Sequence, residues 1–275
     1  MALQTTIKNY FSLEGKGIQT GRPVKMSFYP ESENKGVIFT RKDLKDKPAI
    51  SIKNLSSLNT DRRTRIDAGF VETVEHLLAA TWGAGIDNLR IELDSSEPPA
   101  LDGSAAKFLE ALKSAGTVEQ NALRESIKIK EPIWVEEKES FLGIFPSEEF
   151  KISYILEYPS KAIGRQFFSE TVDRDIFQKR IAPARTFCLK EEVEALLKQG
   201  YGKGADLKNT LVMTEEGPME NELRFPDEPV RHKVLDLIGD LCLLGSPVEG
   251  RVIAIRSGHR LNLKLVEKIK EILCR

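Results

Sequence analysis

The stretch Pro229-Val-Arg-His-Lys-Val-Leu-Asp-Leu-Ile-Gly-Asp-Leu-Cys-Leu-Leu244 decides how the rest of this chain is interpreted. Its apolar residues recur at helical spacing and predict a helix over about 229–245 with a wide buried stripe. His232, Asp236 and Asp240 follow one another at intervals of four residues, so their side chains share one helix face. Buried carboxylates are costly unless they are paired or bind a metal. We therefore expect this helix to carry a metal site or an acid–base site.

Histidine is rare in this chain, with three in 275 residues. A single histidine is more often an ordinary hydrogen-bonded residue than a ligand, so we rely on the spacing to carboxylates. His76 closes Thr-Val-Glu-His at the start of a helix predicted over 74–82, and it is the best third ligand beside His232 and Asp236. Two histidines and one carboxylate with an open position are typical of catalytic zinc, and they also fit a non-haem Fe(II) site. Because no oxygenase-like barrel pattern is visible, we favour hydrolysis.

Three more residues are candidate catalytic groups. Glu75 directly precedes His76 and points elsewhere on the helix, so it is a candidate general base toward a water at the metal. Its alternative role is a negative charge that favours a helix N-terminus. His259 ends a Ser-Gly-His turn after a strand predicted over 251–256, where it could act as a general acid or as a cation facing an oxyanion. Asp240 is placed to orient that imidazole.

Composition excludes several other classes of protein. The net charge of −1 argues against a binder of nucleic acid that works by neutralising phosphates. No apolar run approaches the length of a membrane span, and the first residues lack the apolar core of a signal peptide. The three cysteines, Cys188, Cys242 and Cys274, are scattered and read as reduced thiols. These features predict a cytoplasmic protein with no integral membrane segment and no evident obligate protein partner.

A weak internal repeat predicts an α+β fold of two similar domains. In each half the pattern x-Val-x-His opens a helix, and 27 residues separate His76 from Gly103 and His232 from His259. The polar segment 117–125 is predicted to be the linker between domains 1–120 and 125–275, with the active site at the domain interface. The other predicted elements are strands over 7–13, 24–29, 37–40 and 88–93, a strand-rich stretch over 127–168, and helices over 104–115 and 262–274.

Five motifs, in this order along the chain, carry a resemblance to a known family. They are Thr73-Val-Glu-His-Leu-Leu-Ala-Ala, Leu101-Asp-Gly-Ser-Ala, Ala184-Arg-Thr-Phe, Pro229-Val-Arg-His-Lys and Ser257-Gly-His. Together they resemble the UDP-3-O-acyl-N-acetylglucosamine deacetylase family, whose members remove an acetyl group at the committed step of lipid A biosynthesis. The resemblance covers nearly the whole chain. One departure is Gln19, which stands where many members have histidine.

The resemblance implies a zinc-dependent amide hydrolase acting on a UDP-linked acylated glucosamine, with each domain a small mixed sheet covered by two helices. It implies a zinc ion, with iron as the alternative, held by His76, His232 and Asp236. The alternative function is another metal-dependent amidohydrolase or an Fe(II) enzyme with the same ligands, and a third class is a non-catalytic binding protein whose histidines are structural.

The resemblance also assigns substrate contacts. Lys233 and Arg256 would face the nucleotide phosphates, Phe187 would contact the substrate, and Thr186 would donate a hydrogen bond to the oxyanion. No residue in 58–65 is assigned to the substrate.

The segment from about 189 to 210 has two interpretations. Its apolar stripe could pack on the core as an ordinary short helix. The resemblance instead implies a βαβ insert that forms an apolar passage for the fatty acyl chain, closed by the glycine-rich stretch 200–204. The stripe consists of Leu189, Val193, Leu196 and Leu197.

Overall fold

The computed structural model of the chain describes residues 2–55, 58–60 and 63–273. Each half of the chain forms one five-stranded mixed sheet within this described part, and helices cover it. Cys274 lies outside the described residues. Among the helices that the structure describes, none is both long enough and apolar enough to cross a lipid bilayer.

The first half contains two helices of eight residues or more among its described residues. Its strands are β1 (Leu3–Ile7), β2 (Phe11–Lys16), β3 (Pro23–Pro30), β4 (Val37–Arg41), β5 (Ala49–Ser51), β6 (Leu58–Thr60), β7 (Thr64–Ile66), β8 (Val71–Glu72), β9 (Leu89–Leu93) and β10 (Thr117–Leu123). Its helices are α1 (Glu75–Ala84) and α2 (Ala106–Ser114).

The second half repeats this plan with additional elements. Its strands are β11 (Ile127–Lys128), β12 (Ile133–Glu137), β13 (Ser140–Phe145), β14 (Lys151–Glu157), β15 (Arg165–Thr171), β16 (Phe187–Leu189), β17 (Leu211–Met213), β18 (Val248–Glu249) and β19 (Arg251–Ile255). Its helices are the short α3 (Arg174–Ile176), then α4 (Lys190–Lys198), α5 (Glu228–Leu241) and α6 (His259–Leu273).

The two large sheets correspond strand for strand. The first has the order β2-β3-β9-β4-β5 and the second has the order β12-β13-β19-β14-β15. In both, the strand that comes last in sequence lies in the centre, antiparallel to one neighbour and parallel to the other. The prediction of an α+β protein with two similar halves is therefore confirmed.

Each half carries extra strands at the same point of the repeat. In the first half, the chain forms the small sheet β6-β7-β8 after edge strand β5 and before helix α1. In the second half β16, α4 and β17 lie between edge strand β15 and helix α5, and the parallel pair β16–β17 makes this a βαβ unit. Both insertions thus immediately precede the helix that carries metal-ligand candidates.

Helices α1 and α5 join the two halves by packing on each other. Their apolar residues, including Leu77, Leu78, Val234 and Leu235, are buried in one continuous core. The helices approach so closely at Gly239 that an added Cβ atom would lie 2.0 Å from the carbonyl oxygen of Glu75. A side chain at this position would therefore push α5 away from α1.

Several boundaries differ from the sequence predictions. The segment predicted to be a linker is strand β10 as far as residue 123, where it pairs antiparallel with β1 through its backbone. The strand predicted over 7–13 is divided, since β1 ends at Ile7 and β2 begins at Phe11. Between them the backbone N–H groups of Lys8 and Asn9 donate to the carbonyls of Gly116 and Ala115. The helix predicted over 229–245 ends at Leu241 and is followed by a 3₁₀ turn.

Helix α6 begins three residues earlier than the sequence predicts, at His259. The backbone N–H groups of Leu261 and Asn262 donate to the Gly258 carbonyl, so this first turn closes directly after the strand. His259 therefore lies at a helix N-terminus and not within a loop.

Candidate metal centre and active site

Three helices bring the candidate site residues together. Glu75 and His76 open α1, His232 and Asp236 lie along α5, and His259 opens α6. They line one wall of a cavity of about 860 Å³ between the two halves. The structure thus assembles at one place residues that are up to 184 positions apart in sequence, from 75 to 259.

His76, His232 and Asp236 form a group with the geometry of a metal site. One side-chain ligand atom from each lies within 4.8 Å of the others. Oδ1 of Asp236 is 3.5 Å from Nε2 of His76 and 3.3 Å from Nε2 of His232. The two imidazole rings are nearly perpendicular, with centroids 4.9 Å apart. Two nitrogens and one carboxylate oxygen therefore converge on a common point.

The protonation of these groups favours a cation at that point. Nδ1–H of His232 donates to the Ala184 carbonyl over 3.1 Å, the tautomer that directs the Nε2 lone pair at Asp236. Burial lowers the pKa of His232 to about 3, so the ring is neutral. Oδ1 of Asp236 is buried without a hydrogen-bond partner among the described residues. A buried carboxylate oxygen facing a nitrogen lone pair is unfavourable unless a cation lies between them, so the donor set fits a divalent metal.

Lys233 neutralises the other oxygen of the aspartate. Its Nζ donates to Oδ2 of Asp236 over 2.9 Å and lies 5.6 Å from the ring centroid of Phe187. Burial alone would raise the pKa of Asp236, but the nearby cations Lys233 and His259 help to hold it well below its ordinary value. The carboxylate is therefore anionic, as a metal ligand must be.

Glu75 is a buried carboxylate beside the proposed ligands. Oε2 accepts a hydrogen bond from the backbone N–H of Thr64 over 3.2 Å, and Oε1 lies 3.8 Å from Nε2 of His259. Burial raises the pKa of Glu75, although His259 and His76 act against this effect. A carboxylate with a raised pKa is suited to accept a proton near neutral pH.

His259 is held in place by Asp240. Nδ1–H of His259 donates to Oδ2 of Asp240 over 2.8 Å, and the same oxygen accepts from the Asn262 amide over 2.8 Å. Burial alone would lower the pKa of His259, but Asp240, Asp236 and Glu75 raise it to about 9. The imidazole is therefore a cation at neutral pH, with Nε2 directed toward the cavity.

The other residues assigned to substrate lie at different parts of the cavity. Thr186 and Phe187 line it beside the metal group, and the Phe187 ring lies 6.3 Å from that of His232. Arg256 lines its opening, is paired with the exposed Glu139, and has a left-handed backbone with φ of 51°. Lys233 is closer to the metal group than Arg256 is, since it contacts a proposed ligand directly.

Only part of the apolar stripe of the insert lines the cavity among the described residues. Leu196 lines the cavity, whereas Leu197 is 53% exposed and is not among the described residues that line it. Leu189 is buried at the end of β16, and Val193 is half-buried. The four residues therefore do not form one continuous wall, and Leu196 is the one placed to contact a bound chain.

The glycine-rich stretch joins the insert to the first half. Oε1 of Gln19 accepts a hydrogen bond from the backbone N–H of Gly202 over 3.0 Å, and the Ile18 carbonyl accepts one from Gly204 over 3.0 Å. A Cβ atom at Gly204 would lie 2.2 Å from the carbonyl oxygen of Gly17, so only glycine allows this approach. Gln19 thus connects the two halves across the cavity.

Three other residues at the site were given no role by the sequence, although Thr73 opens the first of the five motifs. Thr64 and Asn262 both donate to Asp240, but neither lies in a motif with a regular spacing to it. Thr73 lines the cavity with a left-handed backbone, φ 57°, and its buried hydroxyl has no partner among the described residues. A β-branched residue with positive φ is a marker of a functional site, but it becomes visible only in the structure.

Comparisons with known proteins give one consistent result. The sequence model of a family described as UDP-3-O-acyl N-acetylglycosamine deacetylase matches residues 4–271. The UDP-3-O-acyl-N-acetylglucosamine deacetylase of Chlamydia muridarum (strain MoPn / Nigg) is 40% identical over 274 residues, 98% of this chain and 96% of that protein. A protein of the same name from Thermosynechococcus vestitus is 40% identical over 270 residues, which cover 98% of this chain and 94% of that protein. Another from Thermodesulfovibrio yellowstonii is 38% identical over 274 residues, which cover 100% of this chain and 94% of that protein. The matched range includes both halves and every candidate site residue.

Proposed function

The chain belongs to the UDP-3-O-acyl-N-acetylglucosamine deacetylase family, and from this premise we propose that the residues around His76, His232 and Asp236 carry out its reaction. The enzyme hydrolyses the acetamide of a UDP-3-O-acyl-N-acetylglucosamine and releases acetate, a step of lipid A biosynthesis. The observation that carries the site assignment is the buried, unpartnered Oδ1 of Asp236, which faces two histidine nitrogens.

The metal is proposed to be zinc, held by Nε2 of His76, Nε2 of His232 and Oδ1 of Asp236. When bound, it polarises the amide carbonyl and acidifies a water molecule. Nitrogen and carboxylate donors suit Zn²⁺, and they also suit Fe²⁺ as the alternative. Lys233 supports the set by holding the second oxygen of Asp236.

Glu75 is proposed as the general base. Its Oε1 faces the cavity beside the ligand group, and its other oxygen is held by the backbone of Thr64. Before the reaction the nearby imidazolium of His259 compensates the charge of the carboxylate. The carboxylate can then take a proton from the attacking water and become a neutral carboxylic acid.

His259 is proposed as the general acid, oriented by Asp240. Its protonated Nε2 lies 3.8 Å from Oε1 of Glu75, so the proposed acid and base are neighbours that line the same cavity. Amide hydrolysis releases a poor leaving group that must be protonated, and a positioned imidazolium supplies that proton. Thr186 lines the cavity on the side of α5 and is proposed to donate a hydrogen bond to the oxyanion.

The remainder of the substrate is proposed to extend in two directions from the metal group. Arg256 lies at the cavity opening, where its guanidinium can exchange Glu139 for a pyrophosphate. The acyl chain is proposed to follow Leu196 beneath the insert, and Phe187 lies between the metal group and this path. We also propose a cytoplasmic location and a division between the domains at residues 120–125.

Acetate release by purified protein tests the activity directly. The protein is incubated with a UDP-3-O-acyl-N-acetylglucosamine before and after metal removal, and then with zinc or iron added back. We expect loss of activity with the metal and recovery with the preferred ion. Activity that persists in rigorously metal-free protein would contradict the assignment of a metal to His76, His232 and Asp236.

A further inference from the structure

Thr64 contacts three groups of the candidate machinery at once. Its side chain is fully buried on strand β7, in the insertion of the first half. The hydroxyl donates to Oδ1 of Asp240 and lies 3.3 Å from Nδ1 of His259, while the backbone N–H donates to Oε2 of Glu75 over 3.2 Å. One residue therefore connects a base from the first half with an acid pair from the second.

The hydrogen bonds of Asp240 show what the hydroxyl does. Oδ2 accepts from both His259 and Asn262, each over 2.8 Å, and Oδ1 accepts from Thr64. A carboxylate is planar, so donors on both oxygens fix its rotation as well as its position. Without the hydroxyl, Oδ1 would be a buried acceptor with no partner among the described residues, which is unfavourable and promotes rotation of the group.

Rotation of Asp240 would be transmitted to the imidazole. Nε2 of His259 has to face the cavity between Glu75 and Asp236, at 3.8 Å and 3.7 Å from their oxygens. The hydrogen bond from Nδ1 to Asp240 fixes the direction of the ring. A rotated Asp240 would therefore displace Nε2 from its position beside Glu75 and Asp236.

Resting on the proposed function, we propose that Thr64 is a positioning residue that fixes the Asp240–His259 pair relative to Glu75 through its hydroxyl. It does not contact the reacting atoms, and it acts through Asp240. Its effect therefore belongs to the chemical step and not to substrate binding, so it should change kcat and leave KM largely unchanged.

Thr64→Val isolates the hydroxyl, because valine keeps the shape of threonine and the backbone N–H to Glu75. We expect kcat to fall roughly 10²-fold, the size of effect that a small misplacement of a catalytic group produces. KM and metal content should stay within about twofold of wild type. Thr64→Ser, which restores the hydroxyl, should recover most of kcat.

Thr81→Val is the matched control, since the Thr81 hydroxyl is also buried but donates only to the Leu77 carbonyl within α1. It should lose stability without a comparable loss of kcat. In a His259→Gln background, Thr64→Val should have little further effect, because the residue through which it acts is gone. Full additivity of the two losses would overturn the proposal.

Proton NMR of protein labelled with ¹⁵N-histidine gives a readout independent of activity. The Nδ1 proton of His259 should shift or broaden in Thr64→Val and remain in Thr64→Ser, while the Nδ1 proton of His232, bonded to Ala184, should not change. If the wild type releases no acetate, the proposed function fails and this measurement still tests Thr64.

The proposal is overturned if Thr64→Val retains kcat as Thr81→Val does, if the loss appears in KM, or if serine is as damaging as valine. If the valine variant does not fold, Thr64→Ala replaces it, and equal kcat for the alanine and serine variants overturns the proposal.

Discussion

Nδ1 of His259 lies 2.8 Å from Oδ2 of Asp240, and both side chains are almost completely removed from solvent. This contact joins the first turn of α6 to α5, one turn beyond the proposed metal ligand Asp236. The imidazolium is stabilised because three carboxylates surround it, and burial alone would have had the opposite effect on its pKa. His259 therefore carries a buried positive charge at neutral pH, which the carboxylate of Asp240 compensates.

The charge on His259 predicts how the stability of the metal-free protein depends on pH. Its pKa is raised from 6.5 to about 9 on folding, so the stabilisation is complete below pH 6.5 and is lost as the pH rises through about 9. The difference in melting temperature between wild type and His259→Gln should shrink over this range. His232→Gln is the control, because the pKa of His232 is lowered to about 3. The difference in melting temperature between wild type and His232→Gln should therefore be constant above about pH 7.5. If the difference in melting temperature between wild type and His259→Gln grew with pH, His259 would not be a cation stabilised by folding.

Metal content should separate ligands from catalytic groups. His232→Ala and Asp236→Ala should lose the metal, because a three-ligand site rarely tolerates the loss of one. Glu75→Ala and His259→Ala should retain it while activity falls by roughly 10²–10⁴-fold. Elemental analysis and initial rates on the same preparations test both statements. A metal-free Glu75→Ala protein would mean that Glu75 is itself a ligand.

Arg256 and Lys233 should differ in their effects, although both are cations near the cavity. Arg256→Ala should raise KM for the UDP substrate roughly tenfold, the effect of about 1.4 kcal/mol of lost charge-assisted bonding, and should not affect an analogue without UDP. Lys233→Ala should lower kcat as well, because Lys233 holds Asp236. Arg165→Ala is the control, since Arg165 is an exposed partner of Glu157 that does not line the cavity. Equal effects of Arg256→Ala on both substrates would exclude phosphate contact.

Adjacent leucines on α4 offer a matched test of the acyl path. Leu196→Asp should strongly weaken a long-acyl substrate, since each buried CH₂ contributes about 0.8 kcal/mol, and should have little effect on a short-acyl analogue. Leu197→Asp should affect neither, because Leu197 is 53% exposed and lies outside the cavity wall. Steady-state kinetics with both substrates and melting temperatures are the measurements. If Leu196→Asp harmed both substrates and lowered the melting temperature, α4 would be an ordinary packed helix.

The clustering of His76, His232 and Asp236 was predictable because its signal is local. His232 and Asp236 are one turn apart on a strongly apolar helix, and the repeat pointed to His76 as their partner. The correspondence of the two sheets was predictable for the same reason, since equal spacing of similar elements is visible in one sequence. The resemblance supplied roles for Thr186, Phe187 and the insert that no spacing could have supplied.

Residues whose partners are distant could not be predicted in this way. The Thr64 hydroxyl bonds to an aspartate 176 positions away, and nothing around it in sequence marks that contact. The sequence of strand β10 predicts a linker because most of its side chains are exposed, which hides the alternation of a strand. It pairs with β1 through backbone hydrogen bonds, and the amino-acid composition does not indicate which backbone groups will pair.

The two insertions occupy equivalent positions in the two similar halves, but they contact different parts of the cavity. The β6–β8 insertion supplies Thr64, which touches the proposed acid and base, whereas the β16–α4–β17 insertion supplies Leu196 and faces the proposed acyl path. We therefore infer that the first insertion serves the proposed acid and base, while the second serves the substrate, which Phe187 on β16 and Leu196 on α4 face. Replacing the second insertion with that of a relative is then expected to change which acyl chains are accepted, while α1 and α5 keep the candidate ligands in place.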